Sequence, residues 1–207
     1  MNPIAEDAET FARSYVQAVT TALNGLDLAA VSRVIEALWW AYQADRQIFI
    51  FGNGGSASTS SHLATDLAKG TLGYRGDAPA RPVRAVSLTD NNSLISAWAN
   101  DVGFEHVFLG QLKTHLRRGD VVVALSASGN SPNILAAIHF ARDAGARTVG
   151  LAGFGGGALS GLVDVGVVVD SHDYGVVEDV HLQIGHIISH CFRQRIAAGG
   201  GPGRSIP

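Results

Sequence analysis

Two apolar runs, each followed by a loop of serine and glycine and then by a helix, constrain this chain most. Residues 47–51, QIFIF, lead directly into GNGGSAS, and residues 121–125, VVVAL, lead into SASGNSP. Short continuous apolar runs of this kind are typical of parallel strands that are buried on both faces. The sequence therefore predicts two strand–loop–helix units within one parallel sheet.

The rest of the chain alternates in the same way. Further strand patterns cover 83–88, 147–151 and 165–169, and helical periodicity covers 56–69, 94–116 with a break at Gly103, 133–144, 158–162 and 176–196. This alternation predicts an α/β domain built on an open parallel sheet of five strands, with helices on both faces. In such sheets ligands bind at the carboxyl ends of the strands, where the strand order reverses.

The N-terminal residues predict a helical hairpin in front of the sheet. Apolar residues recur at three- and four-residue steps on both sides of Gly25, and Trp39, Trp40 and Tyr42 give the second helix a large apolar surface. Two helices alone cannot bury this surface, so they must pack on the sheet or on another subunit. The expected division is a hairpin at 1–45, the α/β domain at 46–197 and a disordered, glycine-rich tail at 198–207.

The composition argues against several classes of partner. The formal net charge is −3 and no basic run is present, which disfavours nucleic acid because backbone binding requires clustered lysine and arginine. No apolar stretch reaches the roughly 18–20 residues that cross a bilayer, and no secretory signal is visible. Cys191 is the single cysteine, which suits a reducing compartment. We therefore expect a cytoplasmic protein that binds neither nucleic acid nor a membrane.

Both loops suit an anion. Their glycines permit positive φ and close approach of the backbone, and each following helix offers unpaired N–H groups and a partial positive charge. Neither loop has the lysine of a nucleotide P-loop or the glycine spacing of a dinucleotide site. One loop alone is equally typical of a simple helix cap. Two loops at one edge of one sheet favour a phosphate group, and a monophosphate rather than a nucleotide.

The combined motifs resemble those of a known family. GNGGSA after one strand, SASGNSP after a later strand, ANDVGFE at 99–105 and a last helix that carries histidines are similar to the sugar isomerase (SIS) domain. Within that family the likeness is to phosphoheptose isomerases, and it extends from the hairpin to about Ile196. The resemblance implies a flavodoxin-like fold, a homotetramer, and an aldose–ketose isomerase that converts sedoheptulose 7-phosphate into a heptose 7-phosphate through an enediol.

The resemblance also implies the residues of the site. The substrate and its phosphate are expected on Asn53, Gly54, Ser56, Asn91, Ser126, Ser128 and Ser131. Zinc is expected on His62, Asp66, Glu178 and His186, of which Asp66 and His186 are also the catalytic base and acid.

Three of these positions depart from the family pattern, and one of them is Asn91, which stands where an aspartate is usual. Asp66 stands in place of the usual glutamate, which shortens the reach of the carboxylate, and Glu178 stands in place of the usual glutamine, which strengthens a divalent-metal site. Whether Asp66 binds metal, removes a proton or does both is left open by the sequence.

The spacing on the last helix leaves two arrangements of the metal ligands open. Glu178 and His186 are eight residues apart, which is about 12 Å of rise on a continuous helix. One metal ion cannot easily bind both side chains of one regular helix. Either the helix begins after Glu178, or the ligands come from different subunits.

A second function is a non-catalytic SIS protein that senses a sugar phosphate or bridges a partner. The presence of His62, Asp66 and His186 argues against it, because a scaffold does not need this set. Stoichiometric zinc in the purified protein favours the enzyme over the binding protein.

Overall fold

A parallel five-stranded sheet forms the centre of the computed structural model, which describes residues 7–72 and 81–199. The strands are β1 (Ile48–Gly52), β2 (Ala85–Ser87), β3 (Val121–Ser126), β4 (Arg147–Ala152) and β5 (Val165–Val168). Their order is β2-β1-β3-β4-β5, and every neighbouring pair is parallel. This order is that of flavodoxin-like sheets, so the predicted fold class is confirmed.

Eight α-helices surround the sheet within the described ranges. They are α1 (Ala8–Asn24), α2 (Leu28–Gln43), α3 (Gly55–Ala68), α4 (Asn92–Asp101), α5 (Leu109–His115), α6 (Pro132–Asp143), α7 (Gly157–Leu162) and α8 (Tyr174–Ala197). The predicted break at Gly103 is present, because a φ of 138° there ends the helical path before α5 begins. Of the tail predicted at 198–207, residues 200–207 lie outside the described ranges.

The alternation of side chains along β1 divides the core into two layers. Ile48 and Ile50 belong to the layer that packs against α2, α3 and α8. Phe49 and Phe51 point to the other face and pack with residues of α5, α6 and α7. The helices α3 and α6, which follow the two serine loops, therefore lie on opposite faces of the sheet.

The aromatic surface of the hairpin packs on the α/β domain. Trp39 meets Phe192 of α8 edge-on, with ring centroids 5.1 Å apart, and Tyr42 is 2% exposed. Trp40 keeps 37% of its surface exposed, and the guanidinium of Arg147 lies 4.4 Å from its ring centroid. Within the described residues no single helix is long and apolar enough to cross a membrane. Only α1 and α2 together reach that length and composition, and they are bent by 69°.

His181 is a titratable side chain enclosed by this core. It lies on α8 and is 1% exposed, and neither ring nitrogen has a hydrogen-bond partner among the described residues. Burial lowers the pKa of His181 to about 4, and the nearby Ala152 carbonyl, which does not meet the geometry of a full hydrogen bond, opposes this only in part. The folded chain therefore holds this imidazole neutral.

We expect His181 to reduce the stability of the protein as the pH falls. Above the ordinary pKa of 6.5 the imidazole is neutral in both states, whereas between 6.5 and about 4 only the unfolded chain takes up the proton. At 1.36 kcal/mol per unit this costs up to about 3 kcal/mol of unfolding free energy. Urea unfolding across this range should show a shallower fall for His181→Leu than for the wild type. The matched control is His139→Leu, at an exposed position of α6. Equal slopes for the wild type and His181→Leu would contradict the assignment.

Candidate active site

The two serine loops begin side by side because β1 and β3 are neighbours. Gly52 at the end of β1 is in register with Leu125 of β3, so both chains leave the sheet at the same edge. This edge is the point where the strand order reverses, and it is where such sheets bind ligands. Gly54, the N-cap of α3, has a φ of 56°, a conformation that favours glycine. It carries no side chain over the N-terminus of α3.

A cavity of about 120 Å³ lies between the two loops, and we call it the serine cradle. Its lining includes Asn53, Ser56, Ser126, Ser128 and Ser131, together with Tyr174 and Glu178 of α8. The Ser126 and Ser131 hydroxyl oxygens are 3.5 Å apart. No lysine or arginine lines the cradle among the described residues. The structure thus brings five predicted substrate residues together, and their donors are hydroxyl, amide and backbone N–H groups.

Two predicted substrate residues are absent from the lining of the cradle: Gly54, which is the N-cap of α3, and Asn91. Its side-chain oxygen accepts a hydrogen bond from the Leu94 N–H at 3.0 Å and so caps α4. Asn91 lines a separate cavity of about 580 Å³ beside the edge strand β2. Within one chain, its side chain therefore has a structural role at the start of α4.

Three of the four predicted metal ligands form a cluster on α3 and α8. The Nε2 atoms of His62 and His186 lie 3.3 Å apart, and Asp66 Oδ2 lies 3.7 Å from His62 Nε2. One donor atom from each residue falls within 4.8 Å of the others. Ser189 donates a hydrogen bond to Asp66 Oδ2 at 3.1 Å, which orients the carboxylate.

The spacing and the chemistry of this cluster fit zinc. Two imidazole nitrogens and a carboxylate oxygen are ligands that zinc prefers, and catalytic zinc sites use three protein ligands and keep one position open. Donors about 2.0–2.1 Å from a tetrahedral zinc ion lie about 3.3 Å from each other, which agrees with the spacing of the two Nε2 atoms. The His62 side chain is 47% exposed, so the cluster is open to a ligand.

Glu178, the fourth predicted ligand, lies outside this cluster. The helix α8 is continuous from Tyr174 to Ala197, close to the predicted 176–196, so of the two arrangements left open the one in which the helix begins after Glu178 is excluded. The Glu178 carboxylate lies against Gly55 in the first turn of α3, where a Cβ atom built on Gly55 would collide with it. It therefore lines the serine cradle and does not join the cluster of its own chain.

Known proteins match this chain over most of its length. The family model of the SIS domain matches residues 12–153. The phosphoheptose isomerase of Citrifermentans bemidjiense is 33% identical over 88% of this chain and 92% of its own. That of a Bradyrhizobium species is 36% identical over 90% and 92%.

The chain belongs to the phosphoheptose isomerase family of SIS domain proteins.

Solved structures agree with this family. The phosphoheptose isomerase of Francisella tularensis superposes with a TM-score of 0.81 at 25% identity, over 90% of this chain and 96% of that one. The phosphoheptose isomerase of Neisseria gonorrhoeae gives a TM-score of 0.79 at 28% identity over the same shares. The resemblance stated from the loop motifs is therefore confirmed.

The structure adds three residues to the site that the motifs of the phosphoheptose isomerase family did not indicate. Ser189 orients Asp66, Tyr174 lines the serine cradle, and Asn133 pairs with Asn53. Ser189 was predictable in part, since it stands three residues after His186 and so lies one turn away on the same helix face. Asn133 follows Pro132 in the first turn of α6, and nothing in the sequence around it distinguishes it from an ordinary first-turn residue.

The position of Glu178 predicts a change in phosphate affinity. A carboxylate at the cradle repels a bound phosphate, so Glu178→Gln should bind inorganic phosphate about five- to tenfold more tightly by calorimetry. The matched control is Asp179→Asn, because Asp179 accepts a hydrogen bond from the Tyr15 hydroxyl at 2.9 Å and is absent from the cradle lining. Weaker or unchanged phosphate binding by Glu178→Gln would contradict this placement.

Proposed function

We propose that this chain is an aldose–ketose isomerase that converts sedoheptulose 7-phosphate into a heptose 7-phosphate through an enediol. The observation that carries the proposal is the pairing of a serine cradle with the His62–Asp66–His186 cluster in a member of the phosphoheptose isomerase family. The cradle suits a single phosphate, and the cluster suits proton transfer beside a metal ion.

The two parts of the site are joined by α3. Ser56 stands in the first turn of α3 and His62 stands six residues later, about 9 Å further along the helix. A substrate with its phosphate in the cradle extends along α3 toward the cluster. This arrangement suits a sugar that carries its phosphate and its carbonyl group at opposite ends.

Isomerisation moves a proton between adjacent carbons and needs a base at carbon and a proton carrier between the two oxygens. We assign Asp66 as the base. Ser189 holds its Oδ2 atom, and Oδ1 is the atom that takes the carbon-bound proton. We assign His186 as the proton carrier at Nε2. The serine hydroxyls and the helix N-termini hold the phosphate, so the reacting carbons stay aligned with Asp66.

Zinc is the proposed cofactor, with His62, Asp66 and His186 as its ligands; Glu178, whose carboxylate lies in the cradle, is left out of this set. When bound, zinc acts as a Lewis acid and stabilises the negative charge on the enediolate oxygens. One imidazole nitrogen cannot hold a proton and a metal ion at the same time. Proton transfer by His186 Nε2 and coordination of zinc by the same atom are therefore two alternatives, and removal of the metal distinguishes them.

A cytoplasmic homotetramer completes the proposal, with a sugar phosphate as the small-molecule partner. Phe11, Val16 and Leu28 of the hairpin are 62%, 63% and 67% exposed. Exposed apolar surface of this kind is typical of a protein interface.

The proposal is tested by incubating the zinc-loaded protein with sedoheptulose 7-phosphate and following both sugar phosphates by NMR. We expect conversion to an equilibrium mixture of ketose and aldose. No conversion of this or of several other ketose phosphates, together with retained phosphate binding, would favour the non-catalytic sensor.

Asp66→Asn should abolish turnover without loss of phosphate binding. Removal of a general base lowers the rate by about 10²- to 10⁴-fold, and the amide keeps the shape of the side chain. The Kd for inorganic phosphate should stay within about twofold, because Asp66 stands ten residues after Ser56 of the cradle, about 15 Å further along α3. The control is Asp66→Glu, which keeps the carboxylate and should keep measurable activity. An Asp66→Asn protein with most of its activity would refute the assignment.

Removal of metal should separate the two roles of the cluster. A chelator should lower turnover by at least about tenfold if zinc stabilises the enediolate, and stoichiometric zinc should restore it. Zinc content is measured by atomic absorption beside the rate, with His62→Ala as the variant expected to lose the metal. Full activity without metal would assign the cluster to acid–base chemistry alone.

A further inference from the structure

The side chains of Asn53 and Asn133 form a reciprocal amide pair. Each Nδ2 atom donates to the Oδ1 atom of the other residue, and both distances are 2.9 Å. Asn53 is the first residue after β1, and Asn133 is the second residue of α6. The pair therefore connects the two serine loops directly, between positions 80 residues apart in the chain.

The orientation of both amides is fixed by a third contact. Asn133 is 2% exposed, and its Oδ1 also accepts the Ile134 N–H at 3.0 Å. This contact requires the oxygen of Asn133 to face the start of α6, which leaves its Nδ2 to face Asn53. Asn53 must then present its oxygen to that donor and its own Nδ2 to the Asn133 oxygen. Only a side chain with both a donor and an acceptor satisfies this geometry at each position.

The pair lies where the distance between the loops matters. Asn53 lines the serine cradle, and its backbone carbonyl accepts the Ala57 N–H in the first turn of α3 at 3.3 Å. Ser131, on the other side of the cradle, stands two residues before Asn133 and is the N-cap of α6. A hydrogen-bonded pair in a buried setting holds its partners more firmly than one in water. The pair thus joins the loop that precedes Ser56 to the start of the helix that follows Ser131.

We propose that Asn53 and Asn133 form an amide clamp that holds the two serine loops at the separation required by one phosphate group. Asn133 is then a positioning residue for the substrate. Asn53 acts through the clamp, because its amide group is engaged by Asn133. The inference rests on the proposed function in that the clamped cradle is the phosphate site of the isomerase.

A double-mutant cycle on phosphate affinity tests the clamp. The variants are Asn53→Ser, Asn133→Ser and the double substitution, with Asn24→Ser at the exposed end of α1 as the control. Serine retains one polar group but removes the reciprocal pair. The measurements are the Kd for inorganic phosphate by calorimetry, the KM and kcat for sedoheptulose 7-phosphate, and the zinc content.

The clamp predicts that the two substitutions are not additive. Each single variant should weaken phosphate binding about tenfold, and the double variant should be no more than about twofold weaker than the poorer single variant. KM should rise by a similar factor, while kcat changes by less than about threefold and zinc content is unchanged. A general loss of structure would instead lower zinc content, kcat and phosphate affinity together.

Two results would overturn the clamp. One is a pair of single variants that bind phosphate as the wild type does, and the other is an additive loss of about a hundredfold in the double variant. If Asn133→Ser does not fold, the half-buried Asn53→Ser decides alone by its loss or retention of phosphate affinity. A wild-type protein that binds no phosphate refutes the proposed function, whereas an active wild type with unaffected variants refutes only the clamp.

Discussion

The pairing of β1 with β3 is the constraint on which the rest of the site depends. These strands are adjacent in the sheet although β2 comes between them in the chain. The strand order therefore reverses at this point. As a result α3 and α6 leave on opposite faces while their N-termini meet at one edge. Backbone N–H groups, serine hydroxyls and the two helix dipoles then converge, and none of the residues described at 7–72 and 81–199 adds a lysine or arginine to the cradle lining. The Asn53–Asn133 pair closes this junction.

The second half of the site follows from the packing of α3 against α8. These helices approach closely at Gly185, where a Cβ atom would lie 3.8 Å from Leu63. His186 follows Gly185 in α8, and His62 precedes Leu63 in α3. The contact between Gly185 and Leu63 therefore brings the two histidines together. The helix that begins at the cradle thus also carries the cluster, so one element fixes the phosphate end and the reacting end together.

Sequence reasoning reached the fold and the loops because each depends on local patterns. The apolar runs predicted the strands. The Ser/Gly segments after two of them predicted a ligand site where the strand order reverses. It failed where the outcome depends on the direction of a side chain within a helix. The eight-residue spacing of Glu178 and His186 argued against one shared metal ion within a helix, but it did not show that Glu178 faces Gly55. Likewise Asn91 was predicted to bind the substrate, yet its side-chain oxygen caps α4.

We propose that one site holds phosphate at the serine loops and a metal ion at His62, Asp66 and His186. The most direct measurement is a crystal structure of the zinc-loaded protein with inorganic phosphate, with anomalous data at the zinc edge. We expect a zinc peak between these three side chains and phosphate among Ser56, Ser126, Ser128 and Ser131. Zinc held by other residues, such as His190 and Cys191, or phosphate bound away from both loops, would contradict it.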